Sequence, residues 1–117
     1  IQNDNMGDNQ FRSFLYDAFT AAHTVTKSGR PIYIAHADSE GYNFRGAMQE
    51  SGWLLKQCII WVKNSMVMGR QDYQWQHEPI LYGWKEGEAH KWYGQFDKKT
   101  VIDDDIDVKK MDKKQLV

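Results

Sequence analysis

At 117 residues, 41% apolar and 14% aromatic, the chain has enough apolar mass for one compact core and too little length for two ordinary domains. Fifteen Lys and Arg balance sixteen Asp and Glu, so it lacks the basic excess of a free-standing duplex-DNA binder, and charge alone nominates no nucleic-acid partner. A single cysteine, Cys58, excludes an internal disulfide and a multi-cysteine zinc site, which suits a reducing compartment and makes the cytoplasm the default.

In chain order, residues 1 to 10 are polar and turn-prone, with Asp8 or Asn9 placed to cap a helix. Phe11, Phe14, Leu15, Ala18, Phe19, Ala22 and Val25 recur at the spacing of one helical face, until Gly29 supplies a left-handed stop and Pro31 forbids resumption. This predicts a helix over 9–27. The run PIYIAH at 31–36 is short, apolar and β-branched, and predicts a strand buried on both faces inside a sheet. Asp38 or Ser39 then offers a cap, Phe44, Ala47 and Met48 give a weaker helical stripe, and Gly52 closes a helix of about 12 residues.

WLLKQCIIWVK at 53–63 predicts the second strand and ILYGW at 80–84 the third. Helix, strand, helix, strand is the rhythm of an α/β sheet with right-handed crossovers. No helix precedes the third strand, and its connection of 15 residues, NSMVMGRQDYQWQHE, lets it return antiparallel and make the sheet mixed. Two or three strands with two helices cannot cover both faces and both edges, so one edge is expected to be bare. Beyond Lys85 the signals weaken. HKWYGQF and KTVI read as short strands, DDDID as a solvated acidic turn, and MDKKQLV as the first turns of a helix. Because the chain begins with Ile1 and ends at Leu116-Val117 within a helical pattern, it is expected to be an excised piece of something longer.

The motif arithmetic excludes more than it supplies. With only Pro31 and Pro79 there is no Pro-Pro step, and no two glycines are separated by a single residue, so neither G-x-G-x-x-G nor a P-loop can be written. The longest unbroken apolar run, Cys58 to Val62, is far short of the roughly 18 residues of a membrane span, and no basic-then-apolar leader opens the chain.

The sharpest local feature is GRQDYQWQHEP at 69–79, which puts Arg70, Tyr73, Trp75, His77 and Glu78 on one connection. Rings interleaved with a cation and amides suit a nucleic-acid base, since rings stack and polar groups read base edges. The plainer alternative is an anchored loop whose aromatics fold onto the core. His36 and Asp38 stand at the carboxyl end of the first strand, where open α/β sheets place their ligands. They are candidates for acid-base work, although helix capping is the simpler role for Asp38. His36, His77, His90 and Glu78 lack a short metal-ligand spacing, and Cys58 in an apolar strand is expected to be inert packing, so neither a metal site nor a thiol nucleophile is expected.

NDNM near the start, YIAHADSEG at 33–41, CIIWVKNSMVMGRQDYQWQHEPILYGWK at 58–85 and HKWYG after it together resemble the DNA methylase N-4/N-6 family of amino-group methyltransferases. The similarity is greatest to prophage-type adenine enzymes, and the stretch from Trp61 to Lys85 is its most specific part. In that family an Asp-Pro-Pro-Tyr catalytic motif precedes the NDNM segment and a glycine-rich cofactor loop lies far downstream, and neither can be written in this chain. The resemblance implies a partial Rossmann-like methyltransferase sheet, α/β and mixed, of about three strands with two helices. In it strand 80–84 inserts antiparallel between the other two, and strand 31–36 neighbours the absent catalytic strand. Residues 1–96 would be part of the catalytic domain and 97–117 the start of a target-recognition or linker region.

The chemistry implied is methyl transfer from S-adenosylmethionine to the exocyclic amine of adenine in double-stranded DNA. That amine is a weak nucleophile, because its lone pair is delocalised into the ring, so the base must be flipped out, stacked and held by acceptors. With the main acceptors absent, residues here are expected to form only the wall of the base pocket: His36, Asp38, Tyr73, Trp75 and His77. Lys63 and Arg70 are expected at the DNA backbone. The fragment alone is then expected to be inactive and to self-associate through its bare edge. The alternatives are a stand-alone nucleic-acid-binding module using loop 69–79, or an assembly domain.

Overall fold

The computed structural model describes residues 7–92, 94 and 98–103. The element order is α1 (Asp8–Val25), β1 (Pro31–Ala35), a 3₁₀ turn (Asp38–Glu40), α2 (Gly41–Glu50), β2 (Trp53–Val67), β3 (Trp75–Lys85) and β4 (Val101–Asp103). The strands form one sheet in the order β1-β3-β2-β4. Strand β3 runs antiparallel to both β1 and β2, and β4 runs parallel to β2. The mixed α/β sheet with two helices and the third apolar run inserted antiparallel between the first two are as expected.

Alternation along the strands sorts the two faces. Ile32 and Ile34 of β1, Leu81 of β3 and Trp53, Leu55 and Cys58 of β2 pack with Phe19 and Ala22 of α1 and Phe44 and Met48 of α2. Both helices therefore serve one face of the sheet. Met48 and Leu81 are fully buried at the centre of this layer. Close approach is enforced at Gly83, where a Cβ would run into the Leu54 carbonyl oxygen. On the opposite face Tyr33 and Tyr82 meet at 5.0 Å, and the segment after β3 lays His90 on Trp84 at 3.8 Å and Trp92 edge-on to Tyr82.

Helix α1 is tied down at its carboxyl end by Lys85, whose Nζ donates to the carbonyls of His23 and Thr26 at 2.8 Å each. The helix stops at Val25 with an extended Thr26 as its cap, so Gly29 (φ +81°) serves the turn into β1 and not the helix stop expected of it. At the other end Gly7 is the cap residue and makes no side-chain bond. Asp8 falls within the first turn instead, where its charge complements the helix dipole. Arg12 joins the helices, donating to Asn43 Oδ1, to Glu50 Oε1 and to the Tyr42 carbonyl.

Several expectations are corrected. Strand β1 is an edge strand among the described residues, and its alternating exposure, with Tyr33 55% exposed, replaces burial on both faces. Neither Asp38 nor Ser39 caps α2. The 3₁₀ turn feeds directly into the helix, and the N–H groups of Glu40 and Gly41 donate to the carbonyls of Ala37 and Asp38. The supposed 15-residue loop is mostly strand, because β2 runs on to Val67 and β3 begins at Trp75, leaving only 68–74 as connection. Of the late segments, KTVI yields β4, the described residues of HKWYGQF carry no strand, and NDNM, MDKKQLV and all but the first residue of DDDID lie outside the described residues. No described helix is long and apolar enough to cross a membrane.

Candidate functional site

Strand β1 pairs with β3 only as far as Ala35 opposite Ile80; β4 stays beside β2 as far as Val62, and past that point β2 and β3 continue as a ribbon. Pro79 is tolerated at this boundary. Its carbonyl accepts from the His36 N–H at 3.3 Å, so its N–H-less nitrogen lies on the β1 side and leaves the β2 ladder intact. Further along, the register jumps from Val62 opposite His77 to Val67 opposite Trp75, so residues 63–66 bulge against Gln76 alone. Gln76 holds the bulge by donating its side-chain amide to the Lys63 carbonyl at 3.0 Å. Bulges of this kind bend a strand and re-aim its side chains.

The bend and the 3₁₀ turn together enclose a cleft of about 320 Å³, lined by Ala37, Asp38, Ser39, Lys63, Trp75, His77 and Glu78. It sits past the carboxyl ends of β1 and of the paired part of β2, where open α/β sheets take their ligands. Trp75 and His77, alternate residues of β3, stand edge-to-face with centroids 5.7 Å apart. Lys63 forms an ion pair with Glu78 and lies over the Trp61 ring at 5.4 Å. Because the 3₁₀ backbone satisfies the entry to α2, the Asp38 carboxylate is not spent on capping and lines the cleft. The chemistry available is therefore a ring platform with two carboxylates, a hydroxyl and an imidazole around it.

Of the residues predicted for the base-pocket wall, the structure brings Asp38, Trp75 and His77 together and adds Lys63, which had been assigned to the DNA backbone. His36 lies in the layer below. It is 6% exposed, stacked on Phe44 at 4.8 Å, with Nδ1 3.4 Å from the Ile34 carbonyl oxygen. Burial pushes its pKa below the usual histidine value, helped by the Arg45 charge and opposed by the Ile34 carbonyl, Asp38 and Glu78. Tyr73 is 91% exposed in the connection at the ribbon's end, and Arg70 is exposed beside it in sequence. Neither lines the cleft.

Sequence reasoning placed neither Glu78 nor Ser39 in the pocket wall. The signal for Glu78 was its position beside Pro79 at the start of an apolar strand run, hidden once 64–78 was taken as loop.

A donor nucleotide needs an open backbone cradle, and the described glycines with positive φ do not provide one. The space beside Gly29 is taken by the Ala89 carbonyl, beside Gly52 by the His23 ring and beside Gly87 by the Ser28 side chain. The described residues thus do not fit S-adenosylmethionine by themselves.

Among solved structures the chain is similar to the M1.HpyAVI–SAM complex (21% identity, TM-score 0.59, 76% of this chain and 50% of that one). It is also similar to M1.HpyAVI in a second structure (16% identity, TM-score 0.64, 75% and 49%). A third likeness is to TTHA0409, a DNA modification methylase from Thermus thermophilus (16% identity, TM-score 0.65, 82% and 51%). The chain thus spans about half the length of these proteins, and at such identities the likeness shows the shared fold. No curated protein sequence matches it. The DNA methylase family of N6/N4 type matches residues 1–116, and this chain belongs to that family.

Proposed function

We propose that this chain is the base-pocket half of a DNA methyltransferase domain that moves a methyl group from S-adenosylmethionine to the exocyclic amine of adenine in double-stranded DNA. Family membership and the sheet order support this reading, and the single observation that carries it is the cleft where Asp38, Ser39, Trp75, His77 and Glu78 converge. Trp75 and His77 offer ring faces and edges to a flipped base, a contact worth about 1–3 kcal/mol per stacked base. Asp38 and Glu78 are acceptors suited to an amine's hydrogens, and drawing those hydrogens out of the base plane helps localise the lone pair on nitrogen. His36, neutral beneath them, fixes the cleft floor through Phe44.

The donor and the strongest acceptors are supplied by segments that this chain does not carry, so residues 1–117 alone are inactive. Residues 1–96 belong to the catalytic domain. Segment 97–117 leads toward target recognition, although Val101–Asp103 first returns to pair with β2. Lys63 reaches the DNA backbone only when Glu78 releases it, and Arg70 meets it from the ribbon. The reaction runs in the cytoplasm.

The test is transfer of labelled methyl from S-adenosylmethionine to duplex DNA, by the isolated 117 residues and by the complete open reading frame that encodes them. The complete polypeptide should label DNA and the isolated chain should not. Labelling by the isolated chain refutes the half-domain reading, and a complete polypeptide that labels no DNA refutes the activity. An assembly role without catalysis is the second reading, favoured by the ring-rich sheet face. It predicts a complete polypeptide that self-associates and leaves DNA unmodified.

A further inference from the structure

The cleft leaves the ribbon's end unexplained. Between Ile80, the last residue of β3 paired with β1, and Trp75, β3 runs on for about 17 Å at roughly 3.4 Å per residue, with β4 beside β2 only as far as Val62, and the connection 68–74 extends the projection further. Apolar side chains are normally withdrawn from such a projection. Here Met66, Met68 and Tyr73 are 52%, 74% and 91% exposed. The connection that presents Met68 and Tyr73 is braced: Gln74 accepts at Oε1 from the Gly69 N–H (2.8 Å) and from Gln71 Nε2 (3.4 Å), and donates from Nε2 to the Gln71 carbonyl (3.1 Å). One amide therefore closes the turn on itself, while the Gln76 bond to the Lys63 carbonyl fixes the bulge behind it.

A braced turn holding a bare ring beside a base-sized cleft has the form of a wedge. Taking a base out of a duplex leaves a gap in the stack, and proteins that unstack DNA fill such gaps with apolar or aromatic side chains at a cost recovered through new contacts. Two residues of chain, at most about 7 Å, separate Tyr73 from the cleft-lining Trp75. A wedge must lie this close to the pocket that receives the displaced base. It must also be ordered before binding, or ordering it erodes the gain.

We infer that Tyr73, flanked by Met68, enters the duplex at the position vacated by the base that occupies the cleft. The inference rests on the DNA methyltransferase reading above and assigns Tyr73, which does not line the cleft, a place in the DNA stack. It commits the ribbon to duplex DNA, and the residues that read sequence are left to other parts of the protein.

The experiment uses the complete polypeptide, wild type and Tyr73→Ala, after sequencing has mapped the adenine it modifies. Two duplex oligonucleotides carry 2-aminopurine at that position, one opposite thymine and one opposite an abasic site. On the paired duplex, Tyr73→Ala should bind on the order of tenfold more weakly and lose the fluorescence rise that reports an unstacked base. On the abasic duplex, where opening costs little, the variant should match wild type within about twofold. Tyr73→Phe should behave as wild type on both. Equal losses on the two duplexes, or no loss on either, overturn the wedge while leaving methylation intact. A wild-type protein that modifies no DNA overturns the underlying reading as well.

Discussion

His36 and Phe44 lie ring on ring, centroids 4.8 Å apart and 21° from parallel, with the imidazole 6% exposed. The pair joins the end of β1 to α2 directly beneath the cleft, so the charge on one ring bears on the support of the whole site. Burial is the largest cause of the depressed His36 pKa. In the unfolded chain the ring regains its ordinary value near 6.5, so between the two values the unfolded state binds the proton and the native state does not. The contribution of His36 is therefore complete above about pH 6.5 and is lost as pH falls toward the native value. Urea midpoints measured from pH 8 to pH 5 should fall on the acid side, and His36→Phe should flatten that slope. An unchanged slope in the variant would show that other groups govern it.

A second acid step belongs to Glu86. The bond from His23 Nε2, 3.0 Å away, holds the Glu86 carboxyl below its usual range. Its contribution is present above the unfolded value of about 4.5 and disappears as pH falls through the lower native value. Glu86→Gln should leave the urea midpoint at pH 7.5 lower, with part of the decline below pH 4.5 removed. Since the side chain is about half exposed, the effect should be small and should shrink in salt.

Lys85 shows how one residue links sheet and helix. Its ammonium donates to two carbonyls in the last turn of α1, at the negative end of the helix dipole. Lys85→Met keeps the packing stem and removes both bonds, and should cost about 1–3 kcal/mol of unfolding free energy by urea titration. Lys85→Arg should recover only part of this, because a planar guanidinium does not replace a point donor seated between two oxygens. A loss below about 0.5 kcal/mol would mean the helix end is held by its core contacts alone.

These contacts also mark where the sequence was legible. The stripe from Phe11 to Val25 and the runs 31–36, 53–63 and 80–84 announce buried elements, because apolar side chains at a fixed period have one face to bury. The ribbon is hidden because Asn64 and Ser65 fall in the bulge that the Gln76 amide holds, and because Gln76 and His77 are polar strand residues with no apolar alternation to show it. Asp38 looked like a cap because its position before a helix suits one, whereas a 3₁₀ turn met that need with backbone carbonyls. Tyr73, Trp75 and His77 read alike in sequence, and only the bulge and the strand start separate the two that line the cleft from the one at the ribbon's end.

Gly83 is the least replaceable point of the sheet. A Cβ there would collide with the Leu54 carbonyl oxygen and stand 2.8 Å from Met48 Cε, and the first of these is backbone that cannot swing aside. Gly83→Ala should therefore separate β2 from β3 near the bulge between Leu55 and Gln57 and cost about 3 kcal/mol or more in urea unfolding. Pairing this change with Met48→Ala relieves only the side-chain contact, so the double variant should remain nearly as unstable as the sum of the two. Recovery in the double variant would show that Met48, and not the Leu54 backbone, sets the limit.

The ring-rich sheet face sets the behaviour of the isolated chain. Tyr33 and Trp92 are 55% and 43% exposed there, over the buried Tyr82, and β1 is an edge strand among the described residues. An exposed ring-rich face next to a strand edge favours self-pairing. Sedimentation of the 117 residues at micromolar concentrations should show dimers or larger species whose share grows with concentration. Tyr33→Lys adds a charge on both the edge and the face and should shift the distribution to monomer without altering the urea midpoint by more than about 1 kcal/mol equivalent. If the wild-type chain sediments as a monomer throughout this range, the sheet face and edge do not pair, and the assembly reading loses its structural support.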